Sequence, residues 1–367
     1  MKKILIFIPD ISANGICKVI ADYIKRMDCY RNIEILTFYI ENDMYFDKEI
    51  KINELGKTKS IFKRIIRETR FLKNNNCSLI HINGNYCSRI IECFAAKLSK
   101  VDRIILHSHN AGVGNNKRIK IILHKVLRKC FDFLADEYIA CSNEAAKWMF
   151  SKKIYKNKQY VVLNNGIELN KYKFNINKRN EIRKELKIST NSFVAGFVGR
   201  LSYQKNPIFL VKIADECHKQ NIDLKFLVIG DGNYKDDMFN RLEELRLDKN
   251  FIFLGNINNA NDYYNVMDVF LFPSKYEGLG IVAIEAQTNG LKSLISDKVP
   301  KECEVSDLVS FLPINTNDSV QKWVSKIQEE YNSVQKNDRC KYAKIVKDHG
   351  YDINIVAKEL EKIYLNN

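Results

Sequence analysis

Short apolar runs recur along the chain and alternate with stretches in which apolar positions return every three or four residues. In the first half the runs are "KILIFIP" (3–9), "NIEILTFY" (32–39), "SLIHIN" (78–83), "RIILHSH" (103–109), "EYIACS" (137–142) and "QYVVLNN" (159–165). In the second half they are "SFVAGFVG" (192–199), "LKFLVIG" (224–230), "NFIFLG" (250–255), "VFLFPS" (269–274) and "LKSLIS" (291–296). Several are apolar throughout, with no polar residue at alternate positions. That pattern suits parallel strands covered on both faces. The strand–helix alternation runs through twice, which predicts an α/β chain of two Rossmann-like, doubly wound domains. Their expected extents are 1–170 and 171–350, joined near "NNGIELNKYKFN" (164–175). The segment "DINIVAKELEKIYLNN" (352–367) reads as one amphipathic helix.

A chain of 367 residues exceeds one ordinary core. Its 46% hydrophobic and 28% charged residues describe a globular protein. The opening "MKKILIFIPD" is read as a first strand, because its apolar run breaks at Pro9-Asp10, too early for a secretory segment. No apolar run approaches the length of about 18 residues needed to span a bilayer. Ten cysteines form no CxxC pair and read as reduced core residues, which places the chain in the cytoplasm.

Charge changes the picture. Residues 51–130 carry 18 Lys/Arg against 4 Asp/Glu, whereas residues 171–367 carry 29 against 27. The excess in the first half calls for an anionic partner: nucleic acid, a membrane surface or a lipid phosphate. The stretches 59–75 and 116–134 are basic amphipathic helix candidates, suited either to an anionic membrane surface or to packing on a core.

Ligands of doubly wound sheets sit beyond the C-terminal ends of the strands. There, "RLSYQKNP" follows the strand ending at Gly199, with Asn206 as expected N-cap, Pro207 in the first turn, and Arg200 and Lys205 on a loop suited to phosphate. "GDGN" (230–233) would let backbone approach a ligand. No GxGxxG stands at a strand–helix junction, which argues against a dinucleotide enzyme. After "VFLFPS", Glu277 precedes a helix and Glu285 lies inside it, about eight residues on and therefore too far for a shared proton. A glutamate among core-facing positions needs a partner; vicinal ribose hydroxyls are the expected one.

Glu277-x7-Glu285 with "EGLGIVAIEA" between "FPS" and "ISDKVPKE" resembles the signature of retaining GT-B glycosyltransferases of family four. "FVGRLSYQKNP" resembles that family's diphosphate segment, and "RIILHSHNAG", "DEYIACSNEAAKWMF" and "VVLNNGIELNKYKFN" resemble its capsular and exopolysaccharide branch. The resemblance implies two domains facing across a cleft, with the C-terminal helix, 351–367, returning to the N-terminal, acceptor-side domain. It implies a nucleotide-diphosphate sugar as donor and a saccharide on a lipid diphosphate carrier as acceptor, transfer with retention, and no metal or other cofactor. No Asp-x-Asp pair of the metal-dependent kind occurs in the chain.

By the same resemblance Arg200 and Lys205 hold the diphosphate, Glu285 the ribose, and Glu277 with the backbone of Gly278, Leu279 and Gly280 the donor sugar. Asn256 falls near the base. Gly15 carries the N-terminal glycine loop, whose first glycine is here Asn14. His109 reaches the donor sugar or the acceptor, with His107 competing for the role. The basic segment 51–130 then docks the domain on the inner face of the cell membrane. A non-hydrolysing nucleotide-sugar epimerase, a nucleic-acid-binding protein and a catalytically silent subunit are the rivals. The first has no use for the two glutamates, and no recognition motif supports the second.

Overall fold

The computed structural model describes residues 3–12, 15–112, 118–332 and 338–365. The chain divides into two compact units, Met1–Ile167 with Gly350–Asn367, and Glu168–His349.

The first unit is built on an all-parallel sheet. Its strands are β1 (Lys3–Phe7), β2 (Ile33–Thr37), β3 (Ile52–Glu54), β4 (Cys77–Gly84), β5 (Arg103–Ser108), β6 (Glu137–Ala140) and β7 (Val161–Val162), ordered β3-β2-β1-β4-β5-β6-β7. Consecutive residues such as Leu5 and Ile6, or Ile104, Ile105 and Leu106, are all buried, as two covered faces require. Helix α1 (Gly15–Ile24) and the C-terminal helix Ile353–Leu365 share one core with Ile4, Ile6, Ile35, Leu79 and Ile105. The C-terminal helix is tied in by polar contacts as well. Glu361 accepts from the Cys29 amide at 2.7 Å, and the Arg103 guanidinium donates to the carbonyls of Ile363 and Tyr364 at 2.7 and 2.9 Å, satisfying the open helix end. The crossover helices are α2 (Ile61–Asn74), packed on α3 (Ile90–Leu98), and α4 (Arg118–Leu127).

These crossovers carry an inverted pattern. On α4, Ile119, Ile122, Leu123 and Val126 lie at i, i+3, i+4 and i+7, the spacing of a buried stripe, and all four are exposed. Ile61, Phe62 and Ile66 of α2, Phe94 and Leu98 of α3, and Phe133 are exposed too, Phe62 at 80% and Phe133 at 81%. Leu72 and Phe131, from the same two basic stretches, are buried, so each stretch packs on the core through part of its apolar residues and exposes the rest.

The second unit repeats the plan with β8 (Phe193–Val198), β9 (Leu224–Ile229), β10 (Phe251–Gly255), β11 (Val269–Phe272), β12 (Lys292–Ser296) and β13 (Val309–Leu312), all parallel, in the order β10-β9-β8-β11-β12-β13. Helices α5 (Ile208–Lys219) and α6 (Ile281–Thr288) flank it. The chain enters this unit through a buried ionic knot: Arg179 and Arg183 pair with Asp268 at 2.5 and 2.7 Å, and Asp268 also accepts from the Val194 amide at 2.8 Å. Among the described residues no helix is long and apolar enough to cross a membrane.

Candidate active site

Strands β8 and β11 are neighbours, and the loops leaving their C-terminal ends are stapled to each other. The Lys275 amide donates to the Gln204 carbonyl at 2.8 Å, Gln204 Nε2 to the Tyr276 carbonyl at 3.1 Å, and Asn206 Nδ2 to the Pro273 carbonyl at 3.1 Å. Asn206 thus corrects an expectation. It does not cap α5 with its side chain; it takes a left-handed backbone (φ 55°) and spends its amide across the loops.

The stapling brings Lys205 and Glu277 together. Lys205 Nζ stands 2.8 Å from Glu277 Oε1, Gln204 Nε2 donates to Glu277 Oε2 at 3.1 Å, and the ammonium lies 4.8 Å from the centre of the Phe272 ring. An ammonium has three donors, so this pairing leaves capacity for phosphate oxygens. Arg200 stands exposed at the head of the same loop. Its backbone is set by the neighbouring turn: the Gly199 amide donates to Ile229, Leu201 to Asp231 and Tyr234 to Leu201, at 2.9, 2.9 and 3.0 Å. The glycines of "GDGN" serve that clasp. A Cβ on Gly230 would come within 2.1 Å of the Gly199 carbonyl oxygen, so the glycine admits the Arg200 loop closely.

Gly278, Leu279 and Gly280 are buried, and Gly280 opens α6 in the left-handed region (φ 89°) with Phe272 against it. Glu285, on the second turn, is 8% exposed. Its donors are supplied from within the protein: Tyr172 Oη donates to Oε1 at 2.8 Å and Tyr264 Oη to Oε2 at 2.7 Å. Two phenols therefore already partner the buried carboxylate, one on each oxygen. Burial, reinforced by Glu285, holds the Tyr264 phenol well above its usual pKa, so it remains a donor. Asn256 is exposed at the end of the edge strand β10, two strands from the Arg200 loop.

In the first unit, His109 follows β5 and is half-buried. Its Nε2 lies 2.7 Å from Asn83 Oδ1, and Asn83 Nδ2 donates to the Phe7 carbonyl at 3.2 Å. With the amide oriented that way, Nε2 carries the proton and Nδ1 keeps the lone pair. Burial pulls the ring's pKa down to about 3, so His109 is a neutral acceptor and not a proton donor at Nδ1. His107 is fully buried and turned into the core, its Nδ1 3.0 Å from His81 Nε2, whose Nδ1 meets Tyr364 Oη at 2.6 Å. Gly15 is exposed at the start of α1, with nothing near the place of a Cβ and no left-handed φ. Asn14 lies outside the described residues. Sequence reasoning missed Gln204, Asn83 and the two tyrosines; only Gln204 had a signal, its place beside Lys205.

The family model described as glycosyl transferases group 1 matches residues 178–345 and so takes in both stapled loops and both glutamates. Over that segment the chain is similar to group 1 glycosyltransferases. Among curated relatives, the chain is 28% identical over 76% of its length, and 78% of the relative's, to the Escherichia coli UDP-Gal:α-D-GlcNAc-diphosphoundecaprenol α-1,3-galactosyltransferase. It is 26% identical over 81% of its length, and 79% of the relative's, to the Staphylococcus aureus capsular polysaccharide biosynthesis glycosyltransferase CapH. Among solved structures, Anabaena HepE in complex with UDP and glucose superposes over 100% of both chains with a TM-score of 0.81 at 16% identity. WaaG, a glycosyltransferase of lipopolysaccharide biosynthesis, covers 99% of this chain and 100% of its own at a TM-score of 0.72 and 14% identity. The fold of the chain is thereby GT-B. Its relatives set aside the epimerase and nucleic-acid readings.

Proposed function

We propose that the protein transfers a sugar, with retention and without a metal, from a nucleotide-diphosphate sugar to a saccharide on a lipid diphosphate carrier, in capsular or exopolysaccharide assembly. The observation that carries the reading is the Lys205–Glu277 pair held on two stapled loops, with exposed Arg200 at the head of one. The two cations would meet the diphosphate and stabilise it as it leaves, the electrostatic preorganisation that acts where charge develops. Glu277 and the backbone of Gly278, Leu279 and Gly280 would receive the donor sugar, Glu285 the ribose, and Asn256 would lie near the base. His109 Nδ1 would accept from a sugar hydroxyl. Gly15 would border the acceptor. The acceptor proton would pass to the departing phosphate oxygen, which asks no protein base. The lipid-linked acceptor is supported by the E. coli relative, whose name describes one.

A screen of UDP-, GDP- and dTDP-sugars against an undecaprenyl-diphosphate-linked saccharide, with the anomeric configuration of the product read by NMR, tests the reading. Inversion at the anomeric carbon would sink the retaining assignment, and loss of turnover in EDTA the metal-free one.

The surface of α2, α3 and α4 supports a peripheral membrane location on the inner face. Its exposed apolar residues sit among Lys63, Arg70, Arg118, Lys120, Lys125 and Lys129, the mixture that an anionic bilayer receives. Flotation with anionic liposomes is expected to carry the wild type and to lose Ile122→Glu/Val126→Glu. Equal flotation of the two would overturn this location.

A further inference from the structure

We propose that Tyr172 and Tyr264 are positioning residues that fix the Glu285 carboxylate as a two-point acceptor for the vicinal hydroxyls of a ribose. The proposal rests on the reading of Glu285 as the ribose-holding residue, and adds to it how the side chain is prepared.

The two phenols take one oxygen each, Tyr172 on Oε1 and Tyr264 on Oε2. An ionised carboxylate offers about four lone-pair sites. One donor on each oxygen leaves one site on each, enough to accept from two adjacent hydroxyls. Unrestrained, the terminal torsion of a glutamate is broad; phenols arriving from two different segments remove that freedom. Both segments are anchored in turn. Asn289 Nδ2, at the end of Glu285's own helix, donates to the Tyr172 carbonyl at 2.8 Å, and Arg339 Nη2 donates to the Tyr264 carbonyl at 3.2 Å. The two rings meet edge-on, 5.8 Å between centres. Stability alone gives little reason for this cluster, because an apolar side chain beside the two rings would pack without any charge to desolvate.

The test is calorimetric titration of the full chain with UDP, GDP and ADP, each beside its 2′-deoxy form, with thermal unfolding recorded in parallel. A site that hydrogen-bonds a hydroxyl rejects the analogue lacking it. The wild type is expected to prefer the ribo form of its nucleotide by at least about tenfold, and Glu285→Gln to lose the preference. In Tyr172→Phe and in Tyr264→Phe the preference is expected to fall to less than about threefold, with affinity for the deoxy form unchanged. Either variant suffices should the other fail to fold. A preference that persists in both phenylalanine variants, even with a lowered melting point, leaves Glu285 as the ribose residue and overturns the role of the tyrosines. Absence of any preference in the wild type overturns the Glu285 assignment and this proposal with it.

Discussion

At the scale of single residues, Lys205 shows how a site can be held ready without its ligand. Its ammonium is paired at 2.8 Å with Glu277 and lies over Phe272. Removing one preorganised charge donor costs roughly 10²–10³ in turnover. Lys205→Ala is therefore expected to lower kcat by roughly that factor, with little change in the far-UV spectrum, and Lys205→Arg to recover part of it. Full activity of Lys205→Ala in a steady-state assay would remove the phosphate role. The residue types at positions 200, 205, 277 and 285 were readable because each holds a fixed place in a strand–loop–helix pattern. Their partners were not. Tyr172 lies 113 positions from Glu285 and Tyr264 lies 21 away, so no local spacing announces either contact. The proton on His109 Nε2 likewise depends on Asn83, 26 positions away.

At the scale of elements, the apolar runs mark the interior strands, since these are buried on both faces and carry an unbroken signal. The short edge strands β3 and β13 escaped. Each is partly exposed, reads as "INE" or "VSFL", and takes its conformation from the neighbour it pairs with. The turn after β9 is the most sensitive joint between elements. A methyl group on Gly230 meets backbone, which cannot swing aside, and the residue's φ of 127° already disfavours one. Gly230→Ala is expected to push the Arg200 loop outward, lowering the melting point by several degrees and weakening nucleotide affinity. Unaltered values of both would show that the clasp is dispensable. The ionic knot makes a second prediction. Asp268→Ala leaves Arg183 buried without its partner, and denaturant titration should report a loss of about 3–5 kcal/mol; a loss below ~1 kcal/mol would contradict the desolvation argument.

For the whole molecule, the buried histidines set a pH limit. Burial brings His81 to about 3 and His124 to about 4, and His107 lies well below its ordinary value. In the unfolded chain each titrates near 6.5. Below that pH the unfolded state binds more protons than the folded one, so the contribution of neutral burial is complete above about pH 6.5 and is lost as the pH falls towards the folded values. Denaturant midpoints are expected to be flat from pH 7 to 8 and to fall steadily from 6.5 to 5, with His107→Gln reducing the slope by about one proton. A midpoint constant down to pH 5 would contradict neutral burial. Charge asymmetry was legible at this scale from composition alone, but not which way the apolar positions of α2 and α4 turn, because a stripe at helical spacing looks the same facing a core or a bilayer. The structure turns the α4 stripe outward, with a kinetic consequence. Seated on a bilayer by Ile119, Ile122, Leu123 and Val126, as proposed, the chain would search for a lipid-linked acceptor in two dimensions. Its rate then follows the mole fraction of acceptor in the lipid, and adding inert lipid at constant bulk acceptor slows the reaction by dilution across the surface.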